Sequence, residues 1–237
     1  MKIRAIILSA LILCGISAVI MYSRAAQPQQ KSSVITQAIN DKNTPMVIKN
    51  LILKMKEQMK VNDDQFPELI KEVENYTNSC ADSASVAVLH SMLAEMYQNY
   101  YQRNQWTINQ RTQLSGYIPE DIRVWTSNLF TDKIKEEIDL SLRPTALLQN
   151  TPVSKFKDIL EIGKDSQTLR PTLYEFLAFR ALDIQPTVQI YKDLIAFQNK
   201  EPNMKSVLLT ELDYLRFLYG DKRDKESFEA YMNALDE

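Results

Sequence analysis

The sequence predicts an all-α protein of antiparallel helical hairpins that follow an N-terminal signal peptide. Glycine is scarce, with four residues in a chain of 237, so few turns can use the positive φ angles that β-hairpins favour. Nearly every segment beyond residue 43 places apolar residues at helical spacing. Helices joined by short loops predict a bundle of α-solenoid or tetratricopeptide type, although the chain has no clean repeat of about 34 residues.

Residues 1–25 have the features of a secretory signal peptide. A basic start precedes an uncharged apolar run over 5–22, and Ser23 and Ala25 occupy positions −3 and −1 of a cut before Ala26. The alternative is an uncleaved membrane anchor, because this run reaches the short limit of a membrane span. The chain is therefore expected to be exported to the periplasm or cell envelope, with membrane contact only through this segment if it is retained.

The two cysteines leave alternatives open. Cys14 could be acylated in a lipoprotein, although Leu13 stands where such a motif has a small residue. If the signal is removed, Cys80 is the remaining cysteine, and no disulfide within the chain is possible. Cys80 could pair with another molecule or lie half-buried between two helices.

Charge gives no sign of a nucleic-acid partner. The formal net charge is −2, and loss of the signal peptide would make the protein more acidic by removing three cations. An acidic body has no general attraction for nucleic acid or anionic lipid, and the chain has no Lys/Arg cluster of the nucleic-acid-binding type.

Composition divides the chain into four segments. The signal peptide at 1–25 is followed by a polar tether with a short helix at 26–43. An N-terminal helical bundle is predicted over 44–115 and a C-terminal helical bundle over 116–237, with Gly116 at the break.

The N-terminal bundle is predicted to contain three helices. Thr44 and Pro45 are typical of a helix start, because Thr caps free N–H groups and Pro lacks the one it would leave unpaired. The apolar stripes are Ile48, Leu51, Ile52, Met55 and Met59; Phe66, Leu69, Ile70, Val73 and Tyr76; and Val86, Leu89, Leu93, Met96, Tyr97 and Tyr100.

Acidic residues and prolines mark helix starts in the C-terminal bundle. These starts are Glu120 with Asp121, then Pro171, Pro186, Pro202 and Asp224. Leu208, Leu212, Leu215 and Tyr219 form the stripe of the helix after Pro202. The stretch "RPTLYEFLAFRAL" at 170–182 is apolar around most of its circumference, which predicts a buried central helix. Phe176 and Leu177 are expected to face the core beside Leu173.

No motif of catalysis or cofactor binding is present. The single histidine, His90, has no Cys or second His nearby to complete a zinc site, and a partly buried, hydrogen-bonded role is expected for it. Nucleophile elbows and glycine-rich phosphate loops are also missing. The sequence predicts a non-enzymatic protein without a cofactor or metal.

A cluster of aromatic residues is the candidate interaction surface. Tyr97, Tyr100, Tyr101 and Trp106 lie within ten residues, interleaved with Asn, Gln and Arg. Such residues can stack on sugars or peptides. The alternative is packing between helices, with the hydroxyls reaching polar groups.

Four segments carry a resemblance to a known family. In order they are "RVWTSNLFTDKIKEEIDLSL", "LRPTLYEFLAFRALDI", "IYKDLIAFQNKEPN" and "LLTELDYLRFLYGD". Together they resemble the helical N-terminal region of large exported alpha-2-macroglobulin-like proteins of Bacteroides-type bacteria. Such proteins continue into β-sandwich macroglobulin domains, and some trap proteases through a Cys-Gly-Glu-Gln thioester.

The resemblance implies a helical scaffold or interaction module without the inhibitory parts. Cys80 is followed by Ala-Asp-Ser and Cys14 by Gly-Ile-Ser, so neither is a thioester site. The chain is expected to be a truncated reading frame or a separate copy of the helical region. The implied partners are the missing macroglobulin domains or envelope proteins. An independent α-solenoid adaptor of an envelope complex is the alternative, and an exported hydrolase or glycan-binding protein is the least supported.

The signal-peptide prediction has a direct test. We expect the exported protein to begin near Ala26, because the small residues at −3 and −1 fit the specificity of signal peptidase. Mass spectrometry of the intact secreted product measures this start. A product that retains Met1 would favour the membrane anchor.

Overall fold

The computed structural model describes residues 44–61, 65–112, 116–160, 165–200 and 203–220, together with residues 226, 229, 232 and 233. The predicted signal peptide and tether lie outside the described residues, as does most of the predicted last helix.

The described part of the chain is helical, which confirms the predicted all-α class. Its helices are α1 (Thr44–Val61), α2 (Phe66–Ser79), α3 (Ser83–Ile108), α4 (Ser127–Ser141), α5 (Thr145–Asn150), α6 (Ser166–Leu169), α7 (Leu173–Ile184), α8 (Val188–Gln198) and α9 (Met204–Tyr219). Two 3₁₀ turns occupy Ile122–Val124 and Val153–Phe156. The same residues contain no β-strand, and Pro152 and Thr172 form an isolated antiparallel bridge.

The chain forms two compact units, Met1–Lys54 and Met55–Glu237. Helix α1 begins in the first unit and ends in the second. Its predicted apolar stripe is confirmed at Ile48 and Leu51 in the first unit and at Met55 in the second, where all three side chains are buried.

This division differs from the predicted boundary between 44–115 and 116–237. The predicted boundary falls inside the second unit, because α3 packs along both α4 and α7, which follow it in the chain. Gly116 does adopt a positive φ of 75°, so it makes a turn there. Side-chain packing across that turn keeps the flanking helices in one unit.

Helix α3 is the central helix of the second unit. It packs against α2, α4 and α7. Ala84, Ala87 and Ala94 are fully buried on it, and such small side chains allow neighbouring helices to approach closely. Asp82 caps its first turn, because its carboxylate accepts a hydrogen bond from the Ser85 N–H at 3.2 Å.

Capping side chains set the starts of the later helices. The Thr172 hydroxyl accepts from the Glu175 N–H at 3.3 Å, and the Glu175 carboxylate accepts from the Thr172 N–H at 3.1 Å. This capping box begins α7 two residues after Pro171. Thr187 likewise caps α8, one residue after Pro186.

The helix predicted to begin near Glu120 is divided instead. The Asp121 carboxylate accepts from the Arg123 N–H at 2.9 Å and caps a 3₁₀ turn. The backbone then becomes extended at Trp125 and Thr126 before α4 begins at Ser127. Asp121 does cap the start of a helical segment, as predicted, but that segment is a single 3₁₀ turn.

Helix α7 is a buried helix, although its buried face differs from the predicted one. It packs against α3, α5 and α8. Leu173 and Leu177 are fully buried as expected, whereas Phe176 is only half-buried. The buried side chains are Leu173, Tyr174, Glu175, Leu177, Ala178, Ala181 and Leu182.

Phe176 and Phe179 of α7 each lie beside an arginine side chain. The Arg180 guanidinium lies 6.0 Å from the Phe176 ring centre. It donates to the Ser91 hydroxyl at 2.9 Å and to the Glu95 carboxylate at 2.6 Å, both on α3. On the other flank, Arg170 lies 3.7 Å from the Phe179 ring centre. The two phenylalanines therefore cover arginines at the edge of the core.

A chain of buried polar groups connects α7, α8 and α9. The Gln198 amide donates to the Glu175 carboxylate at 3.2 Å, and its carbonyl oxygen accepts from the Thr210 hydroxyl at 2.8 Å. All three residues are buried. Helix α9 therefore turns Ser206, Val207 and Thr210 inward, and the predicted stripe is wrong at Leu208, which is 52% exposed.

His90 and Glu137 form the main polar link between α3 and α4. The His90 Nδ1–H donates to the buried Glu137 carboxylate at 2.7 Å, and Lys133 Nζ lies 2.8 Å from its other oxygen. Burial alone would raise the pKa of Glu137, but hydrogen bonds and positive charge from His90 and Lys133 leave that pKa below its ordinary value. The predicted hydrogen-bonded role of His90 is confirmed.

We predict that Leu177→Ala strongly destabilises the fold. Leu177 is fully buried on α7, and truncating such a leucine costs about 2–5 kcal/mol in lost contacts and cavity formation. Urea unfolding measures the change. Leu208→Ala removes the same atoms at an exposed position and should change the free energy of unfolding by about 0.5 kcal/mol or less. Equal losses in the two variants would contradict the assignment of the buried face.

We predict that Glu137→Gln weakens the fold at neutral pH by about 1–3 kcal/mol, because it removes charge-assisted hydrogen bonds. The folded-state pKa of Glu137 is lowered, so its stabilisation is present above the unfolded-state pKa and is lost as pH falls through the folded-state pKa. The deficit of Glu137→Gln should therefore shrink on acidification, as measured by urea unfolding from about pH 7 to pH 3.

Glu136→Gln is the matched control for this prediction. Glu136 also pairs with Lys133, at 2.9 Å, but its side chain is exposed, so its loss should cost about 0.5 kcal/mol or less. A deficit of Glu137→Gln that stays constant with pH would contradict the electrostatic explanation.

Candidate binding groove

A groove of about 840 Å³ opens between α4 and α8 in the second unit. Side chains from α5, α7 and the connection at 185–187 complete its lining. This volume lies within the range of sites that bind small molecules.

One wall of the groove is the C-terminal half of α4. Lys135, Ile138, Asp139 and Leu142 line it at helical spacing, with Arg143 just beyond the helix end. Ile138 is buried and Leu142 is half-buried, whereas the three charged side chains are exposed. The wall is therefore apolar at depth and charged at the rim.

The opposite wall is one face of α8. Gln189, Ile190, Asp193 and Phe197 line it, with Lys200 just after the helix end. Ile190 and Phe197 are buried, whereas Asp193 and Lys200 are exposed. This wall repeats the arrangement of the first one, so apolar surface lies deep on both sides.

Tyr174 of α7 forms part of the floor. Its ring meets Phe197 edge to face, with 5.2 Å between the ring centres. The residue is only 4% exposed, yet its hydroxyl has no hydrogen-bond partner among the described residues. Burial, followed by the negative charge of Asp193, raises the pKa of Tyr174 to about 12. The hydroxyl therefore stays protonated at neutral pH and can donate.

The rim contains charged groups that are not paired within the described part of the chain. Lys135, Arg143 and Lys200 form no ion pair there, and neither does Asp139. Asp193 accepts a hydrogen bond from the Gln189 amide at 2.8 Å. Three cations thus accompany two carboxylates, so the groove offers more charged donors than charged acceptors.

Two of the four residues predicted as an interaction surface belong to the core. Tyr97 and Tyr100 are 1% and 7% exposed. Tyr97 stacks on Trp125 with 5.7 Å between ring centres, and Tyr100 stacks on Phe130 at the same distance. The Tyr97 hydroxyl donates to the Glu74 carboxylate at 2.6 Å. These two residues pack between helices, which corrects the predicted surface.

The other two predicted surface residues remain accessible and separate. Tyr101 is half-buried, stacks on Phe130 at 5.9 Å and donates to the Asn109 side chain at 3.1 Å. Trp106 lies near the end of α3 and is 79% exposed. Its position does not extend the aromatic packing of the other three residues.

The remaining predicted features have these positions. Ser23, Ala25 and Ala26 lie outside the described residues. Cys80 is a free, half-buried thiol whose pKa is raised by burial.

Over the described ranges, no cluster of three or more His, Cys, Asp or Glu residues is arranged to hold a metal ion. No described helix combines the length and apolar character that crossing a membrane requires.

Comparison with known proteins returned no match to a family model, a curated protein or a solved structure. The resemblance to alpha-2-macroglobulin-like proteins therefore stays a prediction, and the groove is interpreted from its own residues.

The sequence did not identify the groove, although it contained a weak sign of it. Lys135 and Asp139 alternate in sign along α4, a pattern that is usual for a solvated helix face. Ile138 lies between them and Leu142 follows, so this exposed face also carries apolar residues. An apolar stripe bordered by unpaired charges on two helices, α4 and α8, is the signal that could have located the groove.

Proposed function

We propose that the chain is a non-enzymatic, exported helical module that binds a segment of a protein partner in the groove between α4 and α8. The observation that supports this proposal is the arrangement of that groove. Its depth is apolar and includes the unpaired Tyr174 hydroxyl, while its rim holds Lys135, Arg143 and Lys200 without ion-pair partners among the described residues.

A protein segment suits such a groove for physical reasons. Grooves between helices bind amphipathic segments by seating apolar side chains at depth and leaving polar groups at the rim. Ile138, Ile190 and Phe197 provide the apolar depth. The rim charges are exposed in the free chain, so binding can use them without first breaking internal ion pairs.

The resemblance noted in the sequence gives this proposal a context. In an alpha-2-macroglobulin-like protein, the helical region would contact macroglobulin domains or other envelope proteins. The chain has no thioester sequence after Cys14 or Cys80. Its proposed role is therefore scaffolding and contact, without covalent protease trapping by this region.

An independent α-solenoid adaptor of an envelope complex is the second candidate. Helices that follow one another in the chain pack together in the pairs α2 with α3, α3 with α4, α7 with α8, and α8 with α9, whereas α7 also packs against α3 and α5. Neighbour-to-neighbour packing is the property that defines solenoids. The adaptor would use the same groove, but its partner would be encoded as a separate protein.

Filling the groove tests the proposed function. Ala196 lines the groove on α8 and is exposed, so Ala196→Trp adds bulk there without removing a buried side chain. Ala146→Trp adds the same ring at an exposed position on α5 that does not line the groove. Each immobilised protein is incubated with an extract of the cells that encode it, and retained proteins are quantified by mass spectrometry.

We expect a protein that the wild type and Ala146→Trp retain equally and that Ala196→Trp retains at least tenfold less, which corresponds to about 1.4 kcal/mol. Thermal unfolding should give the same Tm for all three, which shows that the fold is intact. Equal retention by all three proteins, or no specific retention by the wild type, would overturn the proposal.

A further inference from the structure

We infer that the groove selects an acidic peptide segment with an apolar side chain that seats beside Tyr174. This inference rests on the proposed function and names the chemistry of its ligand. Three features of the groove lead to it: a tyrosine hydroxyl without a hydrogen-bond partner among the described residues, more cations than carboxylates at the rim, and an apolar floor.

The Tyr174 hydroxyl provides one polar contact in the groove. Most of the Tyr174 side chain is buried, and the residue lines the groove. Its hydroxyl oxygen keeps solvent contact and forms no hydrogen bond within the described residues. Since it remains protonated at neutral pH, it can donate to a carbonyl or carboxylate oxygen of a bound segment.

The rim cations extend the same preference for acceptors. Lys135 and Arg143 lie on the α4 side and Lys200 lies beyond α8. These ammonium and guanidinium groups only donate hydrogen bonds. Peptide backbones supply carbonyl acceptors, and acidic side chains supply carboxylates, which bind such cations more strongly than neutral groups do.

The two rim carboxylates do not reverse this balance. Asp139 lies one helical turn from both Lys135 and Arg143, so cations flank it on its own wall. Asp193 already accepts a hydrogen bond from Gln189. A negatively charged segment therefore meets a locally positive rim, although the whole chain is acidic at −2.

The apolar floor of the groove favours a ligand that carries an apolar side chain as well as negative charge. Phe197 and Tyr174 meet edge to face, and both are buried. Beside them, Ile138 and Ile190 provide aliphatic surface on opposite walls. An apolar side chain of the segment would gain free energy there by leaving water, which separates this ligand from a free inorganic anion.

The test uses two fluorescently labelled peptides of the same length. One alternates glutamate with leucine and glycine, and the other has lysine in place of each glutamate. Fluorescence anisotropy measures their Kd for the full chain. We expect the acidic peptide to bind at least tenfold more tightly than the basic one, and added salt to weaken it because the rim charges are exposed.

Two variants on the α8 side locate the contact. Lys200→Glu reverses a charge at the groove, whereas Lys192→Glu makes the same change at an exposed position of α8 that does not line it. Lys200→Glu should weaken the acidic peptide at least fivefold, and Lys192→Glu should change its Kd less than twofold. Tyr174→Phe should weaken it about two- to tenfold, as loss of one hydrogen bond implies, with an unchanged Tm.

Each outcome separates this inference from the proposed function. Failure of the acidic peptide to bind, equal affinity for both peptides, or equal losses from Lys200→Glu and Lys192→Glu would overturn the acidic-peptide inference. An unchanged Kd for Tyr174→Phe would also overturn it. If the peptide tests fail but Ala196→Trp loses the cellular partner, the proposed protein-binding function stands and only the acidic-peptide inference fails. If Ala196→Trp retains the cellular partner as well as the wild type does, the proposed protein-binding function fails.

Discussion

The close packing of α3 against three neighbours is the constraint on which the second unit depends. Helix α3 contacts α2, α4 and α7, so its circumference must satisfy different partners along its length. Buried alanines allow close approach in one part, and the aromatic rings of Tyr97 and Tyr100 fill wider spaces in another. A change that displaced α3 would therefore move α4 and α7 together.

The groove follows from this packing. Helix α3 contacts both α4 and α7, and α7 in turn contacts α8. The two groove walls, on α4 and α8, are thus set by a common support, with Tyr174 of α7 at the floor between them. The buried link from Glu175 through Gln198 to Thr210 also holds α8 and α9 against α7. A rigid support of this kind lowers the cost of ordering a binding surface.

Helix existence could be predicted from the sequence because its causes are local. Prolines, capping residues and helical spacing lie within a few residues of each start, as with Thr172 and Glu175. The buried faces were less predictable. Phe176 shares the helical spacing of Leu173 and Leu177 but is only half-buried. It lies beside Arg180, whose hydrogen-bond partners on α3 are distant in sequence. On α9, the polar Thr210 faces inward because Gln198 supplies its buried partner, so hydrophobic spacing alone selects the wrong side.

The groove was hidden from sequence reasoning for a related reason. The sequence around a charged residue does not show whether its side chain has a partner in the folded protein. Lys133 and Lys135 therefore look alike in the sequence. In the structure Lys133 reaches the buried Glu137 carboxylate, whereas Lys135 stands at the groove rim. The same distinction separates two tyrosines: the Tyr97 hydroxyl has Glu74, whereas that of Tyr174 has no counterpart among the described residues. The proposed binding therefore relies on groups that have no partner among the described residues, and only the three-dimensional arrangement identifies which groups those are.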